Sequence, residues 1–493
     1  MTTAVFKNLI LERFGFPPTS DQQQALDVFA SFLAYRGGEG AIHQPAMILR
    51  GSAGTGKTSI VAAMVKTLIG LHQKVVLLAP TGRAAKVLSQ NCGLPASTIH
   101  RRIYRQKSAS DSFNLDVNLY TDALFVVDEA SMISTLPQVV NDGMPVFGSE
   151  NGSLIDDLVT YVYSGHNCRM MLIGDTAQLP PVGEEEAPAL MNGIIECYGI
   201  RVFSCDLSEV VRQQRQSGIL WNATMIRRLI THDMPTELPK VRFNGFADIK
   251  TIRGNELIEA LEQSYYQKGE DDTIVITRSN KRANIYNNGI RVRVVDHEGE
   301  LCGGDRVMVV KNYYFDDEVS TSPAGSSTND RPFNFIANGD MAVVRRVRNV
   351  RELYGFHFAD VTLCFPDYDD YEMQLTAMLD VLQSDAPALT AVQRTALFES
   401  VMEDYAHLTR KSDRLKAVKE NKYYNAFQIK FAYAVTCHKA QGGQWSHVYV
   451  DQGYMTDDML TPDYVHWLYT AFTRATETLY LVNWPEEQKD LSS

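Results

Sequence analysis

The sequence predicts an α/β protein built from two parallel-sheet domains, and three features of its 493 residues carry that expectation. Four apolar runs in the first half, MILR, KVVLLA, LFVV and MMLI, each stop abruptly at an Arg-Gly, Pro, Asp or Gly boundary. Helical stretches such as Thr58 to Leu71 alternate with them, a pattern that folds as right-handed crossovers onto a parallel sheet. The second half repeats the texture with TIVIT, FAYAVT, HVYV and LYLV. Ligands of such sheets bind beyond the carboxyl ends of the strands, so the polar residues after each run are expected to gather along one edge.

Length gives a prior of about three units at roughly 150 residues each. Residues 1–205 read as the first domain, 206–300 and 426–493 as the second, and 301–425 as a unit inserted into it. In that insertion GDRVMVVKNYYF and NGDMAVVRRV are β-rich and flank the Ser/Thr/Gly/Pro-rich STSPAGSSTNDRP, which reads as a loop. Thr390 to Leu408 has apolar residues near helical spacing at Ala396, Leu397, Val401, Tyr405 and Leu408, with Thr390 as N-cap. Packing is its only evident role.

Composition narrows the function classes. Hydrophobic residues at 45% and charged residues at 22% are ordinary globular usage and exclude disordered or collagen-like chains. With 47 basic and 59 acidic residues the formal charge is −12, so bulk charge will not hold nucleic acid or an anionic membrane, and a nucleic-acid site must be a local groove. Seven cysteines, none at C-x-x-C spacing, read as reduced intracellular thiols. No apolar run reaches the ~18 residues of a membrane span, so a soluble, cytoplasmic protein is expected.

The chemistry begins at GSAGTGKT, Gly51, Ser52, Ala53, Gly54, Thr55, Gly56, Lys57 and Thr58, which fits G-x-x-x-x-G-K-S/T between a strand and a helix. Glycines let the backbone wrap phosphates, the helix N-terminus favours anions, Lys57 reaches the β/γ-phosphates of ATP and Thr58 offers an oxygen to Mg²⁺. LFVVDEAS ends a strand in two carboxylates. Asp128 is expected to hold the Mg²⁺ hydration shell, and Glu129 to orient or deprotonate the attacking water. A lone Asp-Glu pair is usually a solvated turn, but the apolar strand before it and the P-loop upstream reverse that prior. In GDTAQLPPVG, Gln178 can face the γ-phosphate while Pro180 and Pro181 stiffen the loop.

With LRGSAGTGKTS, LLAPTGRAAKVL, FVVDEASM, LIGDTAQLPPVG, EVVRQ, AVTCHKAQGGQW and LYTAFTRATETLYLV in this order, the chain resembles a superfamily 1B helicase of the RecD, Pif and Dda group from Gln22 to Val482. The UvrD and Rep branch has an acidic run after its Walker B carboxylates and G-D-x-x-Q-S in the third motif, whereas this chain has DEAS and Gln178 followed by LPPVG. The resemblance implies two RecA-like parallel-sheet P-loop domains with ATP between them. It also implies a small hairpin insertion near 97–119 in the first domain and a β-barrel-like insertion in the second. The implied activity is ATP-dependent 5′→3′ translocation on single-stranded DNA with duplex unwinding. The implied partners are single-stranded DNA and duplex junctions, with no membrane; which replication or repair proteins it meets is unknown from the sequence.

Residue by residue, the resemblance implies that Gln22 reads adenine, Gln23 or Gln24 serving if the register slips, and that Arg212 and Arg474 approach the γ-phosphate. Pro80, Thr81, Arg83, Thr98, His100, Thr436, His438 and Lys439 match the strand-tracking motifs, although His100 and His438 taken singly are more often packed core histidines. Gly82 departs from Dda-like members, which carry a histidine there, and sides with the RecD-like pattern. The segment IYRQKSASDSFNLDVNLYTDA stands where the family inserts a duplex-splitting hairpin, with Phe113 best placed at its tip and Tyr104 lower on the first arm. A guanine-nucleotide switch would need Asp where SNKRAN has Ala283. An inactive ATPase does not fit the full set of site residues, and the runner-up reading is an RNA-directed helicase or a translocase that does not unwind.

Overall fold

The computed structural model describes residues 2–36, 44–105, 114–137, 152–210, 217–230, 238–314 and 335–490. Six strands form the first sheet: β1 (Pro45–Gly51), β2 (Lys74–Ala79), β3 (Ala96–Thr98), β4 (Ala123–Val127), β5 (Arg169–Gly174) and β6 (Arg201–Leu207). Their order is β3-β2-β4-β5-β1-β6 and every pairing is parallel. Because successive side chains alternate faces, Met47 and Leu49 pack with Ile60 and Met64 on one side while Ile48 packs with Leu158 and Val162 on the other. All these residues are at most 1% exposed, which is worth about 1.5–3 kcal/mol for each large side chain. The last strand runs to Leu207, two residues beyond the expected boundary at 205.

The second sheet contains β7 (Ile249–Ile252) and β8 (Thr273–Thr277) before the insertion, then β14 (Ala434–Thr436), β15 (Trp445–Asp451) and β16 (Ala475–Val482) after it. It is all parallel in the order β7-β16-β15-β8-β14. Between them β9 (Arg306–Val309), β10 (Met341–Leu353), β11 (Phe356–Phe365), β12 (Tyr371–Met378) and β13 (Phe427–Phe431) close into a barrel. Closure leaves no free sheet edge, the usual hazard of a small β unit. The fifth barrel strand runs to Phe431, past the boundary expected at 425. FAYAVT is likewise two elements, its Phe closing the barrel and its AVT opening a parallel strand.

Thr390 caps a helix over Ala391–Asp404 through a capping box with Gln393. Leu397 and Val401 pack beside Phe358 and Met378 of the barrel, whereas Ala396 is exposed. A second helix, Lys411–Glu420, follows without an apolar stripe that sequence periodicity would detect. All seven cysteines are free thiols. Among the described residues no helix is long and apolar enough to cross a membrane.

Candidate functional site

β1, β5 and β4 are neighbours, so the P-loop, the loop after Gly174 and the Asp128-Glu129 pair emerge side by side from one sheet edge. At the P-loop, Gly54 and Gly56 take φ of 78° and 72°, the left-handed region that costs glycine nothing. A Cβ at Gly51 would lie 3.1 Å from Thr55 Oγ1 and 3.2 Å from Leu207 Cβ. Helix α2 (Lys57–Gly70) follows, with Lys57 Nζ donating to Gly51 O at 2.9 Å and Thr55 Oγ1 to Ser52 O at 2.8 Å. Thr58 is exposed in the first turn. Gln22 lies on helix α1 (Ser20–Ala34) and is 1% exposed. Its amide oxygen accepts the Thr19 N–H at 3.0 Å and its nitrogen donates to Thr55 O at 2.9 Å, so it braces the P-loop from beneath. Gln23 and Gln24 are exposed.

Burial, and then the adjacent Glu129 charge, push the Asp128 carboxyl up to about 6 against the pull of Lys57. Glu129 sits at φ 50°, an uncommon conformation for a side chain of its size. Its Oε2 is buried without a hydrogen-bond partner among the described residues, and so is Oε1 of Gln178. Leaving a buried acceptor unmet costs roughly 1–3 kcal/mol, and a positioned water donating to both would remove that cost. The donor set fits Mg²⁺-nucleotide: one carboxylate and one exposed hydroxyl suit an ion that keeps several of its waters. No group of three or more ligating side chains that would cage a metal exists among the described residues.

The second domain reaches this edge through helix α5 (Pro462–Phe472). The Tyr469 hydroxyl donates to Asp175 Oδ2 at 2.6 Å and accepts the Ala53 N–H of the P-loop at 2.9 Å. Thr470 Oγ1 accepts the Leu179 N–H at 2.7 Å, and Gln441 Nε2 donates to Leu179 O at 2.6 Å. Tyr469, Thr470 and Gln441 lie inside two of the recognised motifs, yet sequence reasoning took only the cations and hydroxyls beside them. Arg474, expected at the γ-phosphate, is 2% exposed. Its guanidinium donates to Thr470 O, Gly443 O and Thr473 Oγ1 at 3.1, 3.2 and 3.1 Å. As placed, it braces the turn between α5 and β16 within its own domain. Arg212 lies outside the described residues, as does Phe113.

A guanidinium that sequence reasoning missed does reach the P-loop. Arg227, on helix α4 (Gly218–Ile230), donates to Ser52 Oγ at 2.8 Å. Its only sequence signal was a basic pair in MIRRLI, which reads equally well as a solvated helix end. A hydrogen bond to a charged group is worth about 1.5–3 kcal/mol, less where solvent screens it. Arg227→Ala is expected to lower kcat/KM for ATP by about tenfold, with Arg227→Lys in between and circular dichroism unchanged. Wild-type steady-state kinetics in the alanine variant would reduce the contact to surface decoration.

The strand-tracking candidates divide. Thr81, Arg83, His438 and Lys439 line one cavity of about 120 Å³ together with Asn338, Gly339 and Met341 from the inserted barrel unit. Lys439 donates to Asn338, and burial pulls its ammonium down to about 8. Arg83 lies 4.4 Å over the Trp445 ring and donates to Gln444 O at 2.8 Å, joining the two domains. Thr436 lines an adjoining cavity that also contains Lys439, and Pro80 is half-buried beside Thr81. Thr98 lies apart from these cavities: 2% exposed, it caps the short helix Ile99–Ile103 by accepting the Arg101 N–H. His100 is packed as well, stacked on Phe335 at 5.6 Å and against Tyr104 at 5.7 Å. Tyr104 is 6% exposed and donates to Asp157, so it anchors the short antiparallel ladder in which Tyr104–Arg105 pair with Asn114–Leu115. Gly82 has a steric reason: a Cβ there would lie 2.8 Å from Asp340 Oδ1 and 2.9 Å from the Tyr368 hydroxyl. Burial raises the Asp340 carboxyl to about 7.

Residues 37–146 match the AAA domain family, and residues 431–482 match the UvrD-like helicase C-terminal domain. The ATP-dependent RecD2 DNA helicase of Deinococcus radiodurans is 33% identical over 136 residues, 28% of this chain and 16% of that protein. The ATP-dependent DNA helicase dda of Enterobacteria phage T4 is 23% identical over 284 residues, 53% of this chain and 55% of its own length. The chain thus spans about a sixth and about half of these two relatives. A crystal structure of Pif1 helicase from Bacteroides with ADP-AlF3 and ssDNA aligns over 97% of this chain and 95% of that one, at 13% identity and TM-score 0.44.

Proposed function

We propose, for a chain that resembles the RecD/Pif/Dda-like helicases of superfamily 1B, that it is an ATP-driven motor that moves 5′→3′ along single-stranded DNA and unwinds duplex ahead of it. The observation that carries the reading is the meeting of the P-loop, Asp128-Glu129 and Gln178 on one sheet edge, with Glu129 Oε2 and Gln178 Oε1 buried and unpartnered among the described residues. Lys57 leaves Gly51 O for the β/γ-phosphates, and backbone N–H groups of the loop cradle them. Glu129 accepts the proton of the attacking water while Gln178 fixes its orientation. Thr58 and Asp128 would hold Mg²⁺, which when bound would supply neutralising charge at the phosphates. Arg227 adds positive charge from across the domain boundary, and Arg212 and Arg474 complete the set once the cleft closes on nucleotide.

Coupling to DNA follows from shared parts. Gln441 and Trp445 lie in the same short segment as His438 and Lys439, so a shift in the GDTAQLPPVG loop reaches the tracking cavity within a few residues. Sequence-independent grip by a few cations and hydroxyls suits a motor that must step over any base. Phe113, in the segment between Arg105 and Asn114, is proposed as the group that stacks on the terminal base pair. DNA rather than RNA is the favoured track, and ATPase assays on matched oligonucleotides test it. Single-stranded DNA should stimulate hydrolysis strongly and RNA weakly, whereas equal or greater stimulation by RNA moves the assignment to an RNA-directed motor.

A further inference from the structure

The barrel carries a groove that neither the ATP site nor the tracking cavity uses. Strand β10 reads MAVVRRVRNVREL, placing arginines at 345, 346, 348 and 351 in a chain of formal charge −12. A register shift between Val344 and Arg346 leaves Arg345 and Arg346 both exposed. Arg346 then lies opposite Thr362, which faces Gln374, and Arg348 opposite Asp360, which faces Thr376. Period two puts these rows on the outer face, while Val361 between them is 2% exposed. The rows line a groove of about 380 Å³ together with Asn349 and Lys422.

The charges in the groove do not cancel. Its one lining carboxylate, Asp360, is held by Arg351 at 2.5 Å and Asn349 at 3.0 Å, and Arg345 pairs outside it with Glu372 at 3.4 Å. Arg346, Arg348 and Lys422 make no ion pair among the described residues. We propose that this groove binds the sugar-phosphate backbone of a second single strand of nucleic acid, distinct from the strand held at Thr81 and Lys439; the proposal rests on the motor reading above. Guanidinium and ammonium groups without carboxylate partners are the chemistry that takes phosphate. The interleaved Thr362, Gln374, Thr376 and Asn349 can reach sugars and base edges, which a single strand offers and a duplex conceals. Rows two residues apart stand roughly 7 Å apart, close to the phosphate step of an extended strand. Strand β10 starts at Met341 in the tracking cavity, so Arg346 and Arg348 lie about 17 and 23 Å along it, within reach of the other arm of one junction.

The test is a triple variant, Arg346→Ala, Arg348→Ala and Lys422→Ala, in the full chain, titrated with salt against labelled DNA. ATPase stimulated by a short oligonucleotide should stay at the wild-type level. Affinity for a fork with two single-stranded arms should fall about tenfold, and the log-log salt slope should shrink by about 2, at roughly 0.7 per lost strand contact. Lysine in place of both arginines should restore most of the slope. Unchanged fork affinity and slope would overturn the proposal, as would an equal loss on a one-armed tailed duplex or a blunt duplex. A wild-type protein lacking strand-stimulated ATPase would overturn the motor reading instead. Binding of a labelled oligonucleotide to wild type and variant would then still decide the groove.

Discussion

Glu129→Gln should bind ATP and hydrolyse almost none of it. The substitution keeps the size and the acceptor oxygen that fills the pocket but removes the basicity that takes a proton from water, a contribution of about 10²–10⁴-fold. Lys57→Ala should fail in a different way, because it removes the cation that meets the β/γ-phosphates and so weakens binding as well as turnover. Fluorescent-nucleotide titration beside steady-state ATPase separates the two. A Glu129→Gln enzyme turning over at the wild-type rate would end the assignment of Glu129 as base.

Strand displacement should depend on which end carries the tail. A duplex with a 5′ single-stranded tail is expected to open and one with a 3′ tail to stay closed, since DEAS and the LPPVG that follows Gln178 resemble the 5′→3′ branch. Gel-based displacement on the two substrates, at equal tail length, decides it. Comparable opening of the 3′-tailed duplex would remove the chain from that branch while leaving its ATP chemistry intact.

What could be read in advance was what period and spacing encode. The β1, β2, β4 and β5 strands announced themselves as apolar runs, and G-x-x-x-x-G-K-T fixed the phosphate loop because few other uses need those glycines. The long barrel strands Phe356–Phe365 and Tyr371–Met378 were missed, since their burial follows from pairing and closure of the barrel rather than from local pattern. Thr98 illustrates the limit for sites: a threonine in a tracking motif and a threonine capping a helix are the same letter, and only burial tells them apart. Arg474 and Gln22 are similar cases. A motif states that a side chain is required; whether it braces its own loop or faces a ligand depends on donors and acceptors many residues away.

The phosphate cradle is also answered from within. Tyr469 already takes the Ala53 N–H, Gly51 O already holds Lys57, and Arg227 already sits on Ser52, so nucleotide does not fill a vacant mould but displaces internal surrogates. Two of those surrogates, Tyr469 and Arg227, come from beyond the first sheet. Phosphate that takes Ala53 N–H or Ser52 Oγ therefore competes with hydrogen bonds that hold the two domains in register. Domain position and ATP affinity are thereby coupled, and by reciprocity any force that moves the domains toward the arrangement ATP favours raises affinity for ATP by the same factor. Strain along a bound strand then becomes a means of setting how readily ATP reloads.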